Sequence, residues 1–177
     1  KKINKKKKKN IIVVSSLTKQ KSIETIIKAF ALFVKKNEDW RLLVVGQGPE
    51  EANLKLLAKN ENLKGQIKWL GFKKNPEKIF CSSTIFCLPS NFEGMSNSLL
   101  EGLSYNLNCL VSDSVIHQKD PLKNFVTTFK RNDHKDLLNK LNKLKNYKFR
   151  NKSTFTKFAK ENLNNRVIKK KWEDLFI

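Results

Sequence analysis

Ile85-Phe86-Cys87-Leu88-Pro89-Ser90-Asn91-Phe92-Glu93-Gly94-Met95-Ser96-Asn97-Ser98-Leu99-Leu100-Glu101-Gly102 is the stretch that decides the fold. Four consecutive apolar residues, 85–88, have the pattern of a strand covered on both faces, and Pro89 and Ser90 end it. Leu99, Leu100 and Leu103 mark a helix, for which Ser96 or Asn97 is a suitable N-cap, and Gly94 allows a tight backbone path between the two elements. Buried strand, short turn and helix in succession are the unit of a parallel α/β sheet. The free N–H groups of Met95 to Ser98 then lie above the carboxyl end of the strand, where the helix dipole adds about half a positive charge. An anion of phosphate type suits that position. Glu93 at the mouth and Glu101 inside the helix bracket it as acceptors, so the turn reads as hydroxyls, phosphates, hydroxyls. Taken singly, each acid has a plainer reading, Glu93 as a helix-entry charge and Glu101 as a surface residue.

Outward from this turn, strand and helix alternate. Residues 11–14 are an apolar run of strand length; Ser22 is placed to cap a helix whose Ile23, Ile26, Ile27, Phe30, Ala31 and Val34 recur at helical spacing. Further strands are expected at 40–45, 67–70, 109–112 and 125–129, with helices at 51–60, after Pro76, and at 135–144. The pattern is that of an α/β, Rossmann-like, doubly wound parallel sheet of about six strands, whose ligands bind beyond the strand carboxyl ends. Residues 1–10 form a basic linker or disordered segment and residues 11–150 the sheet domain. Residues 151–177 form a C-terminal helical segment with Phe155, Phe158, Leu163, Val167, Trp172, Leu175 and Phe176 on a broken apolar stripe.

Length and charge narrow the function. A chain of 177 residues is the size of one domain. No run of about 18 apolar residues is present, so neither a membrane span nor a signal peptide is expected. The formal net charge of +21 is not confined to the lysine-rich first ten residues. Such a field favours nucleotide diphosphates or an anionic membrane face; a nucleic-acid role lacks any supporting motif. Cys81, Cys87 and Cys109 are odd in number, lack paired spacing and fall partly in buried strands, which points to reduced thiols of a cytoplasmic protein rather than disulfides or zinc ligands.

Two more elements carry chemistry. Lys21, a short loop beyond the first strand, brings a compact cation within reach of a diphosphate; a solvated lysine in a lysine-rich chain is the alternative. Gly46-Gln47-Gly48-Pro49 is half of a dinucleotide fingerprint without its third glycine, so an NAD site is disfavoured. Gly48 reads as a turn that lets a ligand approach, or as an ordinary strand-to-helix turn. His117 and His134 are read as surface residues.

These blocks together resemble the family 4 retaining glycosyltransferases of the GT-B fold. The resemblance rests on Glu93 and Glu101 separated by seven residues with Gly94 after the first acid, on Lys21 with residues 22–30, and on residues 43–50, 67–72 and 86–90. These stand in the family's order over about residues 11–144. It implies one half of a GT-B fold, the carboxyl-terminal donor-binding domain of a hexosyltransferase. The substrate is a UDP- or GDP-linked sugar, transferred with retention of configuration, with no cofactor and no bound metal. Glu93 and Lys21 are the implied catalytic residues. Donor binding is implied for Ser16, Gly48, Phe72, Lys73, Ser90, Gly94, Met95, Ser96, Asn97, Ser98, Leu99 and Glu101, with Gly71, Phe72 and Lys73 at the nucleobase. Phe72 as a core residue is the alternative. The implied partners are an N-terminal acceptor domain, onto which residues 151–177 cross, and a lipid-linked acceptor at the inner face of a membrane. Two positions depart from the family: Ser16 stands where it has arginine and Ser22 where it has glycine. The missing charge at Ser16 motivates the other reading, a non-catalytic nucleotide-sugar binding or interaction domain.

Overall fold

The computed structural model describes residues 8–117, 120–146 and 152–163. Six strands, β1 (Asn10–Val14), β2 (Arg41–Val45), β3 (Ile67–Trp69), β4 (Ile85–Leu88), β5 (Asn108–Ser112) and β6 (Val126–Phe129), form one sheet in the order β3-β2-β1-β4-β5-β6. Every pairing is parallel. Six helices, α1 (Ile23–Val34), α2 (Glu51–Asn60), α3 (Glu77–Cys81), α4 (Asn97–Ser104), α5 (His134–Leu144) and α6 (Lys152–Asn162), cover its two faces. The sheet is thus the Rossmann-like one expected, including the sixth strand.

Continuous apolar strands are read twice, once per face. Ile11 and Val13 of β1, Leu42 and Val44 of β2, and Ile85 and Cys87 of β4 pack with α1, α2 and α5. Their alternates Ile12, Leu43, Val45, Phe86 and Leu88 pack with α3, α4 and α6. A period of two inside an apolar run is what a strand buried on both sides requires. Burial of Cys87 pushes its thiol far above its ordinary range, so it stays a protonated core residue.

The structure revises three expectations. The sheet begins at Asn10, and the amide of Lys8 already donates to Ser82 O at 3.0 Å while Lys9 O accepts from Arg41 N at 3.0 Å. Residues 8–10 therefore belong to the domain, because backbone pairing is indifferent to the charge of the side chain; residues 1–7 lie outside the described residues. Ser22 sits at the start of α1 but makes no capping bond from its side chain, because its backbone is left-handed, with φ 46° and ψ 44°. Its hydroxyl turns instead to Thr25 Oγ1 at 2.8 Å and Asn132 Oδ1 at 2.9 Å. A left-handed backbone is the conformation glycine adopts without strain, which accounts for the glycine of the resembled family here. The third revision concerns α6: its Phe155 is buried, edge-on to Phe125 and tilted against Phe158, so this part of the C-terminal stripe packs on its own domain. Val167, Trp172, Leu175 and Phe176 lie outside the described residues.

Two glycines differ in what their lack of a side chain does. A Cβ on Gly48 would lie 2.4 Å from Leu17 O, so the loops after β1 and β2 touch only because that atom is missing; a Cβ on Gly94 would meet nothing within 4 Å. Gly48→Ala is expected to destabilise the domain by about 1–3 kcal/mol, and Gly94→Ala to stay within about 0.5 kcal/mol of wild type; urea denaturation of both variants checks this. At the start of α5, Asp133 accepts from Lys135 N and Asp136 N, both at 2.9 Å. The bond from Asp136 holds its carboxyl below the ordinary range. This contribution is present above the unfolded carboxyl value of about 3.9 and disappears as pH falls through the lower folded value. Wild type should therefore melt above Asp133→Asn at neutral pH, and the gap should close on acidification to about pH 2.

Candidate functional site

Between β1 and β4 the strand order reverses direction, and the chain leaves both strands at the same edge of the sheet. A crevice outside the carboxyl ends is the consequence, and it is where ligands of such sheets bind. The loop after β1 carries a 3-10 turn at Lys19–Lys21, and the loop after β4 carries residues 89–96. Lys21 Nζ lies 2.6 Å from Glu93 Oε1, with the two side chains 17% and 10% exposed. Ser90 Oγ donates to the same oxygen at 2.6 Å. Both donors use Oε1, so Oε2 is left for another partner, and an ammonium retains further N–H donors. Ser90 is itself fully buried, and its carbonyl accepts from Ser114 Oγ at 3.1 Å. Its hydroxyl therefore holds Glu93 rather than facing the crevice.

The turn into α4 follows. Ser96 is the N-cap, accepting from Leu99 N at 3.4 Å through Oγ, with Ser98 Oγ 3.1 Å away. The amides of Leu99 and Leu100 both go to Ser96 O. The amide of Leu99 is thus committed to the cap, and the Leu99 side chain is in the core. The amides of Met95, Ser96, Asn97 and Ser98 precede the helix's own hydrogen bonds and stay available to an anion. Met95 is 71% exposed above them.

The remaining expected residues spread along the same end of the sheet. Ser16 is exposed directly after β1, offering one hydroxyl and no charge. Gly48 belongs to the loop packed under Leu17. Gly71, with φ 64°, turns the chain after β3 and leaves Phe72 67% exposed and Lys73 exposed. Phe72 is therefore no core residue; it offers a bare aromatic face. Glu101 is exposed on the second turn of α4, and the Tyr105 phenol one turn on is raised by burial first and by neighbouring acids, Glu101 among them. Beside α4, a cavity of about 430 Å³ is walled by Met95, Leu99, Val115, Leu122 and Phe158, with His117 and Asp120 on its lining. His134 lines a smaller polar pocket with Glu24, Thr25, Lys28, Asn91 and Asn132. Among the described residues no group of three or more metal-ligating side chains assembles, and no helix is long and apolar enough to cross a membrane.

Sequence reading missed Gln20 and Asn91. Gln20 Nε2 donates to Phe92 O at 3.0 Å, and Asn91 donates to Gln20 O at 2.8 Å through its backbone and to Lys19 O at 3.3 Å through its side chain. Nothing in a Lys- and Asn-rich chain singles out either residue; only the pairing of β1 with β4 reveals them.

The Glycosyl transferases group 1 family model matches residues 1–162. The N-acetylgalactosamine-N,N'-diacetylbacillosaminyl-diphospho-undecaprenol 4-alpha-N-acetylgalactosaminyltransferase of Campylobacter jejuni is 34% identical over 107 residues, 60% of this chain and 28% of that protein. An uncharacterized glycosyltransferase of Haemophilus influenzae is 33% identical over 99 residues, 56% of this chain and 28% of that protein. The matches to these and to a Methanocaldococcus jannaschii relative span only 25–28% of the relatives' length. Among solved structures, S. aureus TarM in complex with fondaparinux, alpha-GlcNAc-glycerol and UDP superposes with a TM-score of 0.85 at 20% identity, over 96% of this chain and 35% of that one. With the parallel sheet, the crevice at its switch point and a family model spanning nearly the whole chain, this protein belongs to the glycosyl transferases group 1 family.

Proposed function

We propose that this chain is the carboxyl-terminal, donor-binding half of a family 4 retaining glycosyltransferase of the GT-B fold. The observation that carries this reading is the Lys21 and Glu93 pair beside the open amides of α4, at the switch point of the sheet. In the reaction the bond between the anomeric carbon and the diphosphate oxygen breaks, the acceptor oxygen bonds to that carbon, and its proton passes to solvent or a base. Negative charge then appears on the departing diphosphate. Lys21 and the amides of Met95 to Asn97 neutralise it from fixed positions, which is where electrostatic catalysis gains most. Glu93 uses its remaining oxygen to orient sugar hydroxyls, while Ser90 and Lys21 hold the other. Glu101 takes the ribose hydroxyls, and Gly71, Phe72 and Lys73 meet the base, with the exposed Phe72 ring available for stacking. Gly94, with open space where a side chain would be, lets the sugar approach the backbone.

Support from relatives is of two kinds. TarM, whose fold this chain shares, was crystallised with UDP. The Campylobacter jejuni enzyme is named for a diphospho-undecaprenol acceptor. A lipid-linked acceptor at an anionic membrane face suits the net charge of +21. The acceptor wall is assigned to an N-terminal domain, so this domain alone binds nucleotide and turns over poorly.

Calorimetric titration with UDP and GDP tests the reading: binding of one of them is expected, with Lys21→Ala and Glu101→Ala each weakening it about tenfold. Unchanged affinity in both variants would sink the assignment. Ser16→Arg restores a charged fork at the position where the family has one, and should tighten the same nucleotide several-fold. A looser or equal affinity would show that Ser16 does not face the diphosphate.

A further inference from the structure

The 3-10 turn that carries Lys21 and the loop that carries Glu93 run side by side in a fixed register. Lys19 meets Asn91, Gln20 meets Phe92, and Lys21 meets Glu93, each contact joining residues 72 apart in sequence. The first two contacts are amide hydrogen bonds, and the backbone bond from Asn91 to Gln20 O at 2.8 Å lies between them. Ahead of this register the chain is anchored at buried Leu17, whose N–H donates to Gln47 O and whose carbonyl accepts from Glu50 N, both at 3.0 Å; behind it Ser22 is held in its left-handed conformation with its hydroxyl on Thr25 and Asn132. The Asn91 side chain gives its N–H to Lys19 O although its own Oδ1 is buried without a partner.

We propose that Gln20 and Asn91 are positioning residues that clamp the Lys19–Lys21 turn to the β4 loop and so set the place of the Lys21 ammonium relative to Glu93. The proposal rests on the donor-binding reading above for its consequence, though the clamp itself is a matter of geometry. A lysine has a flexible four-carbon stem, and its charge is useful to a diphosphate only where the backbone beneath it is fixed. With both loops joined at three points, arrival of a diphosphate can draw on the spare Nζ donors without the turn drifting away from the carboxylate. In this proposal Gln20 and Asn91 act through Lys21.

Two measurements on the chain test this. Urea denaturation of Lys21→Ala, Glu93→Ala and the double variant measures the coupling between the two residues, first in wild type and then in Gln20→Ala/Asn91→Ala. The coupling should fall by about half or more once the two side-chain bonds are gone and only the backbone bond from Asn91 N to Gln20 O is left; the same coupling in both backgrounds overturns the proposal that these side chains position the lysine. Should the clamp variant fail to fold, Gln20→Ala alone, which loses only the exposed bond to Phe92 O, takes its place in the cycle. Calorimetry adds the readout that a merely structural role would not move: the clamp variant should bind UDP about fivefold more weakly, bind uridine unchanged, and show no further loss in a Lys21→Ala background. Equal losses for UDP and uridine, or equal losses with and without Lys21, contradict a role through the lysine. Absence of UDP and GDP binding in wild type would end the functional reading, and the coupling measurement would still decide the clamp.

Discussion

Parallel pairing of β1 with β4 is the constraint on which the molecule depends. Strands that lie side by side and point the same way release their chains at the same edge, so two loops separated by 72 residues in sequence meet over one crevice. The helices that return the chain from those strands pack on opposite faces, α1 with one core and α4 with the other. The crevice is therefore left open between them. A short, polar 3-10 turn from one side and a capped helix start from the other give it a cation, a carboxylate and unpaired amides within a few residues.

Charge at this place is organised in layers. Ser114 holds the Ser90 carbonyl, and the Ser90 hydroxyl orients Glu93; Glu93 orients Lys21; and the amide bonds of Gln20 and Asn91 fix the backbone under the lysine. None of these bonds is strong alone, because each replaces a bond to water. Together they keep a flexible ammonium and a carboxylate in one arrangement before any ligand arrives, which is the condition for electrostatic stabilisation without reorganisation. The same logic separates the two glycines of interest. Gly48 is small because another backbone presses on it, whereas Gly94 is small with only open space beside it.

Much of this was legible in the chain itself, and for identifiable reasons. Residues 85–88 are apolar without interruption because β4 is covered on both faces, and the strand–turn–helix that follows is a local pattern. The cap at Ser96 is local too, since its partner Leu99 is three residues on. Less legible was Ser22, whose residue type suggests a capping hydroxyl while its backbone is left-handed; a backbone angle imposed by the packing of α1 against the β6 to α5 turn leaves no mark in the side chain. Phe72 shows the converse: an aromatic residue read as core or ligand contact is exposed because Gly71 turns the chain outward.

Sequence alone determined the alternation of strands and helices, the two acids spaced across a helix start and the cation after the first strand, because periodicity, caps and spacing act over a handful of residues. Tertiary structure decided which oxygen of Glu93 is occupied, that Ser90 faces inward, and that Gln20 and Asn91 fasten the lysine turn. Those contacts join segments whose separation is set by strand order, and strand order comes from the packing of two cores rather than from any local run of residues.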